Sequence, residues 1–102
     1  MNKYIEHINK CLEKTNKYES KIDNFIQKME GMTGIKTRHF YNNICNFNDV
    51  RYLEIGTHTG SSLCSAMCNN KMTCVAIDNW SEFCQNNTKE IFEKNFEKYK
   101  GQ

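Results

Sequence analysis

Proline is absent from the 102 residues, and glycine occurs only five times. There is therefore no Pro-rich or Gly-rich linker, and no internal repeat or low-complexity stretch divides the chain. Long apolar runs are also missing, so no segment is expected to cross a bilayer. The N-terminal MNKYIEHINK lacks the apolar core of a secretory signal, so a cytoplasmic protein is expected. Charge of one sign is not in excess: 14 Lys and Arg face 12 Asp and Glu, a net +2 spread along the chain. No basic face for nucleic acid follows from that distribution.

Cysteine is plentiful but lacks pattern. The six stand at positions 11, 45, 64, 68, 74 and 84, without the C-x2-C pairs of zinc sites. With no export signal, reduced and mostly buried thiols are expected, and no metal. Two matches to the N-glycosylation sequon, at Asn79 and Asn86, are read as chance.

A chain of this length forms one small fold with a modest core. Residues 2–30 contain neither Gly nor Pro. Tyr4, Ile8, Cys11, Thr15, Tyr18, Ile22, Phe25 and Met29 follow one another at alternating steps of four and three. That spacing predicts one long amphipathic helix, stopped at Gly31. It is packing against its own domain or, as in a heptad seam, pairing with another helix. Residues 35–47 predict a second helix, with Arg38 and His39 on its surface. Val50–Ile55 reads as a buried strand and Met72–Ile77 as another. Between them lies a helix capped by Ser61 or Ser62 and ended at Asn69-Asn70. From Ser81 the chain is helical again, with Phe83, Ile91, Phe92, Phe96 and Tyr99 on its apolar face and Glu90–Lys94 as an i, i+4 pair.

The order helix, helix, strand, helix, strand, helix implies an α/β fold with two parallel strands joined by a right-handed crossover. The centre of this unit carries the chemistry. Gly56 and Gly60 follow the first strand, where a tight turn lets a ligand approach bare backbone. Amide groups at the start of the next helix then face that ligand. Glu54 ends the first strand and Asp78 the second, where a carboxylate can accept from both hydroxyls of a ribose. Trp80 offers a flat face for a purine. The spacing E-x-G-x-x-x-G lacks the middle glycine of the dinucleotide fingerprint, and no Gly-Lys-Ser/Thr marks a phosphate loop.

YLEIGTHTGSS followed by VAIDNWSEF resembles the first two motifs of class I, Rossmann-like S-adenosylmethionine-dependent methyltransferases. The resemblance covers residues 50–83. It implies that Glu54, Gly56, Thr57, Gly60 and Ser61 wrap the methionine part of S-adenosylmethionine, with His58 also among the cofactor-binding residues of that loop. It implies further that Asp78 holds the ribose, with Asn79 and Trp80 beside the adenosine. GMTGIKTRHFYN is similar, more loosely, to the entry region of small-molecule and sugar O-methyltransferases of that class. The family's complete sheet has more strands than two. The expectation is therefore a helical extension over 1–33 and a truncated methyltransferase-like α/β domain over 34–102. Such a chain binds a small-molecule cofactor and relies on a homo-oligomer or a completing chain. The alternative is a non-catalytic binding or assembly module that oligomerises through its N-terminal helix.

Overall fold

A computed structural model describes residues 2–81 and 87–101. Its elements are α1 (Lys3–Asn16), α2 (Asn24–Lys28), α3 (Ile35–Cys45), β1 (Val50–Ile55), α4 (Ser61–Met67), β2 (Met72–Ile77) and α5 (Thr88–Tyr99). The α/β class and the parallel pairing are as expected. β1 and β2 form a two-stranded parallel sheet in direct register, from Val50 opposite Met72 to Ile55 opposite Ile77. Phe83 and Cys84, placed by the sequence in the last helix and among the thiols, lie outside the described residues, as does Asn86.

The core lies on one side of the sheet. Ile22, Ile26 and Met29 join Leu63, Cys64, Met67, Cys68 and Tyr99 in one buried cluster, against which Tyr52, Met72, Cys74 and Ala76 pack from the sheet. Residues from the N-terminal thirty thus share a core with α4, β2 and α5. Ile26 and Leu63 are fully buried, each contributing about 2–3 kcal/mol relative to exposure. Cys11, Cys45, Cys64 and Cys68 are buried free thiols, and Cys74 is half-buried. Burial raises the Cys64 thiol to about 12 and the Cys45 thiol to about 11.

The N-terminal segment is not one helix. α1 ends at Asn16, and the chain runs irregularly, with Tyr18 at φ 55°, until α2 starts at Asn24. Apolar spacing alone could not reveal the break, because its cause lies in α3. Asn42 Oδ1 accepts from the Lys21 amide at 2.8 Å, and Asn43 Nδ2 donates to the Glu19 carbonyl at 2.8 Å. His39 Nδ1 and the Ser20 hydroxyl share a 2.7 Å hydrogen bond. Backbone groups released from helix geometry are therefore satisfied by side chains. Asp23 then caps α2 by accepting from the Ile26 amide at 2.9 Å.

Arg38 and His39 are buried, not on the surface, each 5% exposed. The Arg38 guanidinium has carbonyl partners: Nε donates to Thr33, and Nη1 to Ile26 and Met29, at 2.7–2.8 Å. Guanidinium N–H groups match carbonyls that α2 leaves unpaired at its end.

Asn42 ties α3 to α4. It is fully buried and donates through Nδ2 to the Ser65 and Cys68 carbonyls, both at 2.8 Å. At the other end of the core, the Tyr99 hydroxyl donates to both Asp23 oxygens, at 2.9 and 3.0 Å. At the end of α5 the ion pair among the described residues is Glu97–Lys100, about two turns beyond the expected Glu90–Lys94.

Neither strand is buried on both faces. Exposure alternates along each, so Arg51, Leu53 and Ile55 of β1 and Thr73, Val75 and Ile77 of β2 face away from the core.

Candidate functional site

The carboxyl ends of β1 and β2 lie side by side because Ile55 and Ile77 are partners in the ladder. The Gly56 amide extends that ladder by donating to the Ile77 carbonyl at 2.8 Å. Gly56 then turns the chain at φ 84°, His58 follows at φ 52° and Gly60 at φ 92°. This succession of left-handed residues folds the loop back over the end of β2.

Asp78 receives the loop. Its Oδ2 accepts from the His58 amide and its Oδ1 from the Trp80 amide, both at 2.7 Å. The His58 amide is the largest influence holding this carboxyl below its ordinary range, against partial burial; the Trp80 and Thr57 amides add to it. A carboxylate offers about four lone-pair sites. With three amides bound, about one remains for a ligand.

Other contacts clamp the same loop. Trp80 Nε1 donates to the His58 carbonyl at 2.8 Å, and the indole lies against Phe92 of α5 with ring centroids 5.4 Å apart. Asn95 Nδ2 donates to the Thr59 carbonyl at 2.9 Å, and the Thr59 hydroxyl donates to the Glu30 carbonyl at 2.9 Å. The Ser61 hydroxyl donates to Thr33 Oγ1 at 2.9 Å. Neither Ser61 nor Ser62 caps α4, whose N-cap is Gly60.

A cavity of about 560 Å³ opens at the strand ends. Its apolar lining is Ile55, Ile77 and Met32, and its polar lining is Gly56, His58, Asp78, Asn79 and Ser81. The volume lies within the range of small-molecule sites. Gly56 leaves backbone open there, since nothing lies within 4 Å of the position a Cβ would take.

Of the residues singled out in the sequence, Gly56, His58, Asp78 and Asn79 meet at this cavity. Thr57, Gly60 and Ser61 are buried in the packing beneath the loop. Trp80 braces the loop from behind, with one face on Phe92 and Lys89 Nζ 5.7 Å from its ring centroid. Glu54 faces the helical layer instead. Its Oε1 accepts from the Tyr52 and Ser62 hydroxyls at 2.7 Å each, while Oε2 is buried with no partner among the described residues. Burial and that bond to Glu54 push the Tyr52 phenol well above its ordinary range. Ile55 and Ile77 were missed as lining residues, although strand alternation places them opposite Glu54. Met32 and Ser81 fall inside two segments that carry the resemblance but were not singled out individually.

Among the described residues no group of three His, Cys, Asp or Glu side chains is placed to hold a metal ion. No helix there is long and apolar enough to cross a membrane. The chain matches no protein-family model, no curated protein and no solved structure.

Proposed function

We propose that this chain is the cofactor-binding portion of an S-adenosylmethionine-dependent methyltransferase acting on a small-molecule or sugar acceptor. One observation carries the reading: the glycine turn after β1 and the carboxylate ending β2 meet at a single cavity, joined by the His58–Asp78 hydrogen bond. Parallel strands present ligands at their carboxyl ends in this way.

The residues present fit an adenosyl cofactor. The acceptor site of Asp78 left by the three loop amides suits a ribose hydroxyl. Ile55, Ile77 and Met32 supply apolar contact for a ring or a thioether chain, and the backbone at Gly56 is open to close approach. When bound, the cofactor supplies an electrophilic methyl group on its sulfonium. This chain's part is to bind and orient, and positioning contributes much of the rate in such transfers. The clamped loop keeps its shape before ligand arrives, which lowers the ordering cost of binding. Proton transfer is assigned to none of these residues.

Calorimetric titration with S-adenosylhomocysteine, alongside NADH, tests the reading. Binding of the first alone, lost in Asp78→Ala with the cooperative melt retained, supports it. A folded chain that binds neither ligand at millimolar concentration overturns it, as does preference for NADH.

A further inference from the structure

We infer that the outward face of the β1–β2 sheet is a self-association surface, covered by the same face of a second copy of this chain. The inference does not rest on the cofactor reading. Leu53, Ile55, Val75 and Ile77 are 63%, 77%, 57% and 54% exposed. They are ladder partners, Leu53 with Val75 and Ile55 with Ile77, and so form one contiguous aliphatic block. The face turned toward the helices carries the polar groups of Tyr52 and Glu54. The face turned to solvent is the more uniformly aliphatic of the two.

Parallel strands normally have both faces covered, and a sheet of two strands is marginal alone. Contiguous exposed aliphatic patches of this kind mark interaction sites. With Met32, 69% exposed beside Ile55 and Ile77 at the cavity, the face offers a patch on the order of a few hundred Å² per copy. That is less than the ~800 Å² each partner buries in a standard interface, so the dimer is reversible and concentration-dependent.

Charge favours a second copy over an unrelated partner. Within the strands the face has a single ionic residue, Arg51 at its start; exposed Asp49 and Lys71 flank that end, leaving it net positive, and Asp78 lies just past the other end. A two-fold arrangement with strands antiparallel separates the two arginines and brings each toward the other copy's Asp78. Stacked sheets sit about 10 Å apart, within reach of these side chains. The second copy then also closes the open side of the cavity, because Ile55 and Ile77 belong to both.

The test is the mass of the full chain in solution, by light scattering and sedimentation equilibrium over a wide concentration range. A reversible dimer is expected. Val75→Lys should weaken it about a hundredfold, the loss typical of an interface hot spot. Val75→Thr, which keeps β-branching and so the strand, should weaken it in the same direction if the lysine variant fails to fold. Ile8→Lys on α1, where Ile5, Ile8 and Leu12 form a separate exposed stripe, should leave it unchanged. A wild-type monomer at every concentration overturns the inference. So does a dimer that survives the Val75 substitutions, or one that Ile8→Lys dissociates.

Discussion

The backbone amide of His58 donates to the Asp78 carboxylate at 2.7 Å, fastening the loop after β1 to the end of β2. Asp78→Asn keeps the shape, removes the charge and turns an amide nitrogen toward a donor. A loss of about 2 kcal/mol is expected. Amide donors lower the folded-state pKa of Asp78 from its ordinary 3.8, so its stabilisation is fully present above that value and fades as pH falls below it. Thermal melts taken down through that window should show the wild type losing its advantage over the variant.

Two glycines of the loop separate backbone strain from crowding. Gly56→Ala meets open space at φ 84° and should cost about 1 kcal/mol from the left-handed conformation alone. Gly60→Ala carries the same strain at φ 92° and adds a Cβ 3.0 Å from Phe92 Cδ1. It should cost about 2–3 kcal/mol. Urea titration of both variants checks the order; equal losses would show that the Phe92 ring yields freely.

His39 gives a pH dependence in a different window. Burial holds its imidazole below the ordinary 6.5. The unfolded chain takes up a proton at that pH while the folded chain resists it. Stability present above 6.5 is therefore lost as pH falls toward the folded-state value, with a slope of at most about 1.4 kcal/mol per pH unit. Melting midpoints measured from neutral pH downward should drop in the wild type and drop less in His39→Gln. Parallel curves would refute the assignment.

Asn42→Ala should be the most damaging of these substitutions. It strands the Ser65 and Cys68 carbonyls and the Lys21 amide, all bonded to one fully buried side chain. A loss of about 3 kcal/mol is expected. Hydrogen exchange should report it first at Lys21 and through α4.

Both strands were legible to the residue, because short apolar runs between polar turns have few other readings at that length. The helix break at Lys17–Asp23 was not, since its compensating partners are asparagines some twenty residues away. The burial of Arg38 was equally hidden: a cationic side chain reads as surface until the carbonyls it serves are located. At the site, chain order correctly paired the Gly56 turn with Asp78. Glu54, Thr57, Gly60, Ser61 and Trp80 do not line the cavity, because adjacency in sequence says nothing of which side of a loop a group takes. Period-two alternation, applied strictly to β1, would have assigned Glu54 and Ile55 to opposite faces.

The bond from Tyr99 to Asp23 spans 76 positions, about three quarters of the 102 residues. During synthesis the cap of α2 therefore waits, without this phenol, until α5 has emerged. A contact of such long sequence separation forms late, and until Tyr99 docks Asp23 faces an unfilled gap.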